Sequence, residues 1–322
     1  MKFVYVIVSS EDDYILEQAL LSMHSLRIYN PEAYVTVVSD KDTFNGLTGN
    51  RAKIKEYVDE FITQELPEGL SMIQKSRFMK TSLRPTINGD FLYIDTDTVI
   101  SDKISDIGFE GDMGAVLSLH KSDWDNYEIP TMLKTYISIK KESSELKVIK
   151  NFHNTGVIYS KDTEVSLNFF LNWHRLWWND SINYDYHKDQ PAFWQTNAKF
   201  NNLIISMDGV FNCQIHFPAY SFRYVQNAKI LHYFSTSIRT DQFFLKQSHF
   251  LQKIREKGIN QEVESTIIGI KSIILDYIKA YILDIEKKLR EKLPIIMIER
   301  RIAKKFPFIR KISGLLMNKF LE

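Results

Sequence analysis

Apolar positions in the N-terminal part of the chain follow two different spacings. Residues 2–9 and 34–40 are continuous apolar runs, which are typical of strands buried on both faces. Between them, in residues 15–29, the apolar positions recur at helical spacing on one face. The order strand, helix, strand predicts the β-α-β opening of a doubly wound α/β sheet.

The same criteria predict the elements that follow. A helix carrying Arg77 and Lys80 one turn apart precedes FLYIDTDTVI at residues 91–100, whose apolar run is predicted to be a strand that ends where Asp95 and Asp97 begin. Further strands are predicted at 113–119, 154–160 and 228–235, and further helices at 163–178 and 188–196. The pattern therefore predicts an α/β fold for most of the chain.

The C-terminal segment has another pattern. Its apolar residues recur at helical spacing with lysines mostly on the other face, and they are Ile270, Ile273, Ile274, Tyr277, Ile278, Tyr281, Ile282, Ile285 and Leu289. Residues 265–322 contain 13 basic and 6 acidic residues, a net charge of +7, whereas the rest carries 28 basic and 34 acidic residues, a net of −6. This asymmetry predicts a main domain at 1–260 and an amphipathic, basic, helical tail at 261–322.

Composition limits the kinds of core, covalent cross-link, metal site and partner that the chain can have. With 322 residues, 44% of them hydrophobic and 13% aromatic, the chain can bury a sizeable core and still line a groove for a polar ring. The net charge of +1 gives no bias toward nucleic acid, and the single cysteine, Cys213, excludes an intramolecular disulfide and a cysteine-based zinc site. No signal peptide and no membrane span of roughly 20 apolar residues is visible, so a cytoplasmic protein is expected.

Two aspartates end the apolar run FLYIDTDTVI at residues 91–100. Asp95 and Asp97 are two residues apart, so in an extended chain their side chains point the same way. The carboxyl end of a strand is where open α/β sheets bind ligands, and paired carboxylates stabilise a hard divalent cation. Taken alone, the two aspartates are explained equally well by a turn at the end of a strand.

Two other polar groups could contact a nucleotide. The turn SSEDDY, residues 9–14, follows the first strand and could hold a base and ribose, with Tyr14 stacking on the base. A helix N-cap with acidic residues in its first turn is the alternative. Arg77 and Lys80 share one helix face and could neutralise a diphosphate, although cations on a helix surface are usually only solvated.

Three later motifs add candidates. In FHNTGVIYSKD, Asn154, Thr155 and Gly156 lie at the start of a strand, where glycine permits close approach of a ligand and a simple turn is the alternative. His232 follows an apolar run and could be a metal ligand or an ordinary structural histidine.

The motif KDQPAFW, residues 188–194, precedes a predicted helix. Asp189 and Gln190 stand immediately before Pro191, which is favoured in the first turn of a helix. An aspartate in that position is either a helix cap or a catalytic group, and the motif alone does not decide between them.

In their order along the chain, these motifs resemble those of GT-A fold sugar-nucleotide glycosyltransferases, and of glycosyltransferase family eight in particular. The similarity covers roughly residues 1–240. The motifs that carry it are the first strand with its acidic-Tyr turn, Arg77 before the DxD strand, LYIDTDTV, HNTGV, DQPAF and LHY. The DxD motif alone is a weak signal, whereas the ordered set is specific.

The resemblance implies a fold and a reaction. It implies a mixed α/β sheet flanked by helices, with a nucleotide-binding half at 1–100 and an acceptor half at 101–260. It implies a metal-dependent hexosyltransferase that moves a sugar from a nucleotide sugar, with UDP as the expected nucleotide, to a glycan or lipid-linked acceptor. Retention of configuration is expected, as in family eight.

The resemblance also implies roles for individual residues. Manganese or magnesium would be bound by Asp95, Asp97 and His232. The donor would be bound by Ser9, Asp12 and Tyr14 at the base, by Arg77 and Lys80 at the phosphates or sugar, by Thr96 within the DxD motif, and by Asn154 and Thr155 at the sugar. Asp189 and Gln190 would be the catalytic residues beside the anomeric carbon, where the uncharged Gln190 would act through its carbonyl.

The sequence departs from the family pattern at one place. The glycine and KPW segment that follows the metal histidine in the family is replaced here by FSTSIRT. Arg239 is the candidate for the missing cation. The phosphate clamp, the exact family and the stereochemical outcome stay open, because inverting enzymes share the fold.

Two alternatives from other classes remain. DTDTV also fits the nucleophile motif of haloacid-dehalogenase-type phosphatases, with Asp95 as the phosphorylated residue, although those enzymes place it on the first strand. The other alternative is a non-catalytic sugar-nucleotide-binding protein at a membrane.

The tail indicates a partner. An isoleucine-rich face combined with basic residues and the segment KKFPFIRK is typical of a helix that lies in an anionic membrane surface. The expected location is thus the inner face of the membrane, with a lipid-linked acceptor used in assembly of a bacterial surface glycan such as capsule or lipopolysaccharide. Alternatively, the isoleucine face packs on the catalytic domain or on a second subunit of a homo-oligomer.

Overall fold

The structure is a computed structural model, and it describes the greater part of the chain. The described residues are 1–104, 107, 110–121, 130–140, 151–215, 222–233, 244–276, 278, 279, 283, 287 and 288. The suggested cation Arg239 and the basic stretch after Pro294 lie outside them.

The strands are short and mostly buried. In chain order they are β1 (Lys2–Ile7), β2 (Tyr34–Ser39), β3 (Glu60–Thr63), β4 (Phe91–Ile94), β5 (Thr98–Ile100), β6 (Met113–Leu117), β7 (His153–Ser160), β8 (Ile205–Met207), β9 (Cys213–Gln214) and β10 (Ile230–His232). The predicted strands at 2–9, 34–40 and 154–160 are confirmed to within two residues at each end.

The helices connect these strands. In chain order they are α1 (Ile15–Tyr29), α2 (Lys41–Asn45), α3 (Met72–Thr81), α4 (Leu83–Thr86), α5 (Thr131–Lys140), α6 (Glu164–Asn183), α7 (Gln190–Lys199), α8 (Phe222–Val225), α9 (Ser248–Lys257) and α10 (Gln261–Ile268). Helix α3 begins with a capping box between Ser71 and Gln74, and the side chain of Thr163 caps α6. Short 3₁₀ turns lie at Gly49–Tyr57, Ser118–His120, Gly209–Asn212 and Phe244–Lys246.

Seven strands form a mixed sheet in the order β3-β2-β1-β4-β7-β6-β8. Strands β3, β2, β1 and β4 are parallel, whereas β7 runs antiparallel to both β4 and β6. The predicted β-α-β opening is thus confirmed as β1, α1 and β2. The mixed α/β architecture that the sequence predicts is confirmed as well.

The strand predicted to end where Asp95 and Asp97 begin is observed as β4, and the residues after the two aspartates form a separate strand, β5. Strand β4 belongs to the large sheet, whereas β5 pairs with β10 in a second sheet of order β5-β10-β9. The turn at residues 95–97 passes from one sheet to the other. The two aspartates therefore lie where the sheets meet, and β10 brings its own last residue, His232, opposite Thr98.

Aromatic side chains fill the core between the large sheet and helices α6 and α7. Trp173, Trp177 and Trp194 are almost fully buried there, together with Phe169 and Phe193. Phe193 packs edge to face against both Phe169 and Trp173. Their burial fixes α7 and the polar residues at its beginning.

The chain divides into two compact units, Met1–Lys271 and Ser272–Glu322. On the predicted isoleucine face, Ile270, Ile274 and Ile278 are buried, whereas Ile273 is exposed. Within the described part of the chain, no helix combines the length and the apolarity needed to cross a bilayer. The functional boundary between residues 260 and 261 stays a prediction.

Candidate active site

Backbone hydrogen bonds hold the DTD turn. The amide of Asp95 donates to the carbonyl of Gly156 on β7 at 2.7 Å, and the amide of Tyr233 donates to the carbonyl of Asp97 at 3.1 Å. The Thr98 hydroxyl donates to the carbonyl of Asp95 at 2.9 Å. Because the turn is fixed from both sheets, its two carboxylates have defined positions.

Asp95, Asp97 and His232 converge on one point. His232 Nε2 lies 3.2 Å from an Asp97 oxygen and 3.9 Å from an Asp95 oxygen. One ligand atom from each residue lies within 4.8 Å of the others. The aspartate side chains are 23% and 24% exposed, whereas that of His232 is 2% exposed, so the carboxylates remain accessible from one side. Two carboxylates and an imidazole fit a divalent cation.

Charged and polar side chains surround both carboxylates. Burial alone would raise the pKa of Asp97, but the neighbouring His232 outweighs burial and lowers that pKa to about 2. The Tyr93 hydroxyl donates a hydrogen bond to Asp95 Oδ1. Burial and the Asp95 charge raise the pKa of Tyr93 well above its usual value, so this residue stays a neutral donor.

Lys80 joins the cluster to Asp189. Its ammonium is almost fully buried and lies 3.3 Å from Asp95 Oδ1 and 3.3 Å from Asp189 Oδ2. Arg77, one turn earlier on α3, places its Nε 3.1 Å from Asp189 Oδ1. Burial would raise the pKa of Asp189, but Lys80 and Arg77 hold it below its usual value. The predicted cations therefore lie inside the site and are not merely solvated.

Asp189 and Gln190 stand at the beginning of α7, as predicted. The side chain of Asp189 makes no capping hydrogen bond to the helix, so its cations rather than a cap explain its position. Its backbone carbonyl accepts from the indole of Trp173 at 3.0 Å. Gln190 Nε2 donates to the carbonyl of His153 at 3.0 Å, so the amide nitrogen faces the protein. The buried tryptophan thus helps to place the motif.

The HNTG motif lies on β7 beside these groups. The Thr155 hydroxyl donates to Asp189 Oδ2 at 3.0 Å, and Lys80 is within hydrogen-bonding distance of the same hydroxyl at 3.4 Å. Asn154 is buried, and its Oδ1 accepts from the Gly156 amide at 2.8 Å and from Asn212 at 2.9 Å. Contact of Asn154 and Thr155 with the donor sugar stays a prediction.

The turn at residues 9–14 is organised by Asp13. Its carboxylate accepts from the Ser9 hydroxyl at 2.7 Å, the Ser10 amide at 2.8 Å and the Ile15 amide at 2.9 Å. Asp12 is exposed, and its side chain is open to solvent or ligand. The sequence gives Asp12 the binding role, but it does not reveal that Asp13 holds the turn.

Helix α9 packs against this turn. The Tyr14 hydroxyl donates to Gln252 at 3.0 Å, and the Arg255 guanidinium lies 4.5 Å from the centre of the Tyr14 ring. Arg255 also donates to the carbonyls of Glu11, at 2.7 Å, and Asp13. Sequence reasoning missed this contact because more than 230 residues separate the two segments.

A cavity of about 220 Å³ lies beyond β1 and β2. It is lined by Ser9, Ser10, Glu11, Leu16, Asp42, Thr43, Gly46 and Arg51. It is therefore at the carboxyl ends of two parallel strands, where α/β sheets bind ligands. The expected base-binding turn forms one of its walls.

A further cation stands near Asp97. Lys246 ends the 3₁₀ turn Phe244–Lys246, and burial lowers its pKa while the Asp97 carboxylate opposes that shift. Its position after the metal histidine could not be predicted, because residues 234–243 contain no family motif. Arg239, which the sequence suggests for this role, lies outside the described residues.

Solved structures with a similar fold are glycosyltransferases. Mouse xyloside xylosyltransferase 1 in its apo form has a TM-score of 0.47 and 12% identity, covering 73% of this chain and 98% of that chain. The galactosyltransferase LgtC in complex with donor and acceptor sugar analogues has a TM-score of 0.48 and 12% identity, covering 82% and 99%. The apo form of the glycosyltransferase GlyE of Streptococcus pneumoniae has a TM-score of 0.48 and 15% identity, covering 87% and 64%.

The mixed sheet of the chain itself agrees with the α/β fold that the sequence motifs predict. No family model and no curated protein matches the sequence. The functional conclusion below depends on the arrangement of the site residues.

Proposed function

We propose that the protein is a metal-dependent glycosyltransferase that uses a nucleotide sugar, with UDP as the nucleotide. The observation that carries the proposal is the continuous charged cluster in which Asp95, Asp97 and His232 can hold a divalent cation and Lys80 links Asp95 to Asp189. Acidic ligands for a metal and buried cations in one cluster fit a diphosphate leaving group.

Departure of the sugar concentrates negative charge on the nucleoside diphosphate. A bound manganese or magnesium ion would stabilise that charge as a Lewis acid. Lys80 and Arg77 add positive charge that is already oriented by Asp189, so little reorganisation accompanies the reaction. Tyr93 and Lys80 fix the orientation of Asp95 by hydrogen bonds to the same oxygen.

Gln190 is the group proposed to lie beside the anomeric carbon. Because its amide nitrogen donates to the carbonyl of His153, its Oε1 is left to accept or to stabilise positive charge. An amide carbonyl supports an oxocarbenium-like centre but is a weak nucleophile. This chemistry favours retention with Gln190 as a stabilising group, and Asp189 acts by holding the two cations.

The acceptor is proposed to be a glycan or a lipid-linked glycan of a bacterial surface polymer. The support is the basic, isoleucine-rich tail, whose composition suits an anionic membrane surface. The protein would then act at the inner face of the membrane, and pairing of two copies through the isoleucine face is the alternative use of the tail. The phosphatase and non-catalytic alternatives gain no support, because Asp95 follows an inner strand and Lys80 and Arg77 flank Asp189.

Thermal unfolding of the full chain with nucleoside diphosphates tests the proposal. We expect UDP with Mn²⁺ to raise the melting temperature, and Asp95→Asn or Asp97→Asn to abolish that rise. Glu32→Gln, an exposed change before β2 at the opposite edge of the sheet, is the control and should leave the rise intact. An equal rise in excess EDTA would rule out the metal site, and proton NMR of the product linkage would decide between retention and inversion.

A further inference from the structure

Two buried side-chain amides, those of Asn212 and Asn154, lie behind the proposed metal ligand His232. Asn212 is fully buried at the end of the 3₁₀ turn Gly209–Asn212, immediately before β9. Its Oδ1 lies 3.0 Å from His232 Nδ1, and its Nδ2 lies 2.9 Å from Asn154 Oδ1. A buried polar side chain with two such partners has a single favourable orientation.

The direction of every hydrogen bond in this chain follows from one backbone amide. The N–H of Gly156 can only donate, and it lies 2.8 Å from the side chain of Asn154, so the Asn154 atom facing it must be the carbonyl oxygen. The Asn212 atom that contacts the same oxygen must then be its NH₂ group. The remaining oxygen of Asn212 faces His232, so Nδ1 of His232 carries the hydrogen.

The tautomer decides what the other ring nitrogen can do. In a neutral imidazole with hydrogen on Nδ1, Nε2 carries the lone pair. That nitrogen faces Asp97 and Asp95. An ionised carboxylate can accept hydrogen bonds but has no hydrogen to donate. Three electron-rich atoms directed at one point are the arrangement that a cation requires, and a histidine ligand commonly donates its second N–H to a neighbouring group.

Packing fixes the ring plane as firmly as the hydrogen bond does. A Cβ added to Gly156 would lie 2.1 Å from Cε1 and 2.7 Å from Nδ1 of His232, so the ring rests directly on the backbone of β7. Only glycine allows this approach, and the same residue supplies the amide that orients Asn154. The HNTG motif thus has a use that the sequence does not reveal.

We propose that Asn212 is a positioning residue that holds His232 as an Nε2 metal ligand, and that Asn154 acts through Asn212. This inference rests on the proposed metal site. It gives Asn154 a role in addition to the expected contact with the donor sugar, since its Oδ1 is already used by two donors. Replacing the group that hydrogen-bonds to the other ring nitrogen of a metal-binding histidine typically weakens metal binding by about 10- to 100-fold.

Binding of Mn²⁺ to the full chain, followed by the electron paramagnetic resonance signal of free Mn²⁺, measures this effect without turnover. We expect Asn212→Leu to weaken binding by about 10- to 100-fold. Asn197→Leu is the matched control, because Asn197 is equally buried on α7 and accepts a backbone hydrogen bond from Ile204 outside the site. Asn197→Leu should lower stability and leave Mn²⁺ affinity unchanged.

A second measurement does not depend on metal. In the metal-free protein with ¹⁵N-labelled histidine, at a pH at which the His232 ring is neutral, the wild-type signals should show hydrogen on Nδ1, and Asn212→Leu should abolish this preference. A wild-type His232 with hydrogen on Nε2 and none on Nδ1 would overturn the inference. Equal Mn²⁺ affinity in Asn212→Leu and wild type would also overturn it while leaving the metal site intact, whereas absence of Mn²⁺ and Mg²⁺ binding by the wild type would overturn both proposals.

Discussion

Two buried carboxylates, Asp189 and Glu17, each lie between two cations, yet they have different uses. Asp189 begins α7 in the candidate active site, and Glu17 is in the first turn of α1 beneath the turn at residues 9–14. Both side chains are almost excluded from solvent. The two carboxylates differ in the number, length and geometry of the contacts that their cations make with them.

Glu17 is saturated. Arg51 and Arg255 each place Nε 2.9 Å from its Oε1, and their Nη2 atoms lie 3.3 and 3.0 Å from its Oε2. Both guanidinium groups thus grip the same carboxylate in a bidentate way, which is the strongest geometry for such a pair. Both oxygens of Glu17 are occupied by the two arginines, so the cluster fastens α9 to the N-terminal part of the fold.

Asp189 shares its cations. Lys80 lies at 3.3 Å from both Asp189 and Asp95, and only the Nε of Arg77 approaches Asp189 within 3.1 Å. These contacts are longer than the 2.9 Å contacts of Glu17, and the ammonium belongs to two carboxylates at once. Lys80 thereby joins Asp189 to the candidate metal ligand Asp95, which distinguishes this cluster from the structural cluster around Glu17.

The largest expected effect comes from Lys80→Met. Loss of the ammonium leaves Asp95 and Asp189 without their common cation, and we expect transfer to fall by about 10³-fold, or about 4 kcal/mol in the barrier. Turnover per folded molecule should be measured beside the free energy of unfolding. Lys75→Met on the same helix is the control, because Lys75 also lies 2.8 Å from two carboxylates, Asp40 and Asp42. An equal loss of turnover in both variants would contradict a special role for Lys80.

The next effect concerns Glu17→Gln. Two partly buried guanidinium groups lose the carboxylate that they share, so we expect the free energy of unfolding in urea to fall by about 3 kcal/mol. Turnover per folded molecule should change little. Glu262→Gln removes one partner of an exposed ion pair with Lys253 and should cost less than about 1 kcal/mol. A stability loss no larger than that of Glu262→Gln would show that the cluster of Arg51, Glu17 and Arg255, called the clamp below, is not needed for stability.

The two clusters also mark what the sequence could and could not predict. Asp95 and Asp97 were predictable because spacing along one strand end decides where they point, and the β-α-β opening was predictable from periodicity. Glu17 was not, because its partner Arg255 is 238 residues away and nothing local distinguishes it from an ordinary first-turn glutamate. Asn212 was missed for the same reason, since its role exists only where β9, β10 and β7 meet.

The division of the run at residues 91–100 was also beyond the sequence. The sequence predicts a strand that ends at the two aspartates, but not that Thr98–Ile100 join a second sheet. The buried hydrogen bond between Thr98 and Ser22, at 2.7 Å, ties β5 to α1. The turn that results is the one that presents the carboxylates. A pattern of side chains cannot report such a change of partner strand, because both halves are equally apolar.

The smallest expected effect is that of Arg255→Lys. This variant tests whether the contacts of Arg255 also contribute to binding of the donor nucleotide. A lysine keeps the charge near Tyr14, but it cannot grip Glu17 with two nitrogens and reach the carbonyl of Glu11 as well. We expect the free energy of unfolding to fall by about 1–2 kcal/mol, since one bidentate pair is weakened. Because the turn carrying Tyr14 is then less well ordered before the ligand arrives, UDP affinity should fall by about 3- to 10-fold.

Calorimetric titration of UDP in the presence of Mn²⁺ measures that affinity. Lys253→Ala, on the same helix α9 and in an ion pair with exposed Glu262, is the control and should bind UDP like the wild type. If Arg255→Lys loses stability but keeps full UDP affinity, the clamp is purely structural, and the base must be held by the cavity walls rather than by the ordered Tyr14. A parallel loss of stability and affinity would instead show that Arg255, through its contacts with Tyr14 and the Glu11 carbonyl, holds the donor-binding turn in place.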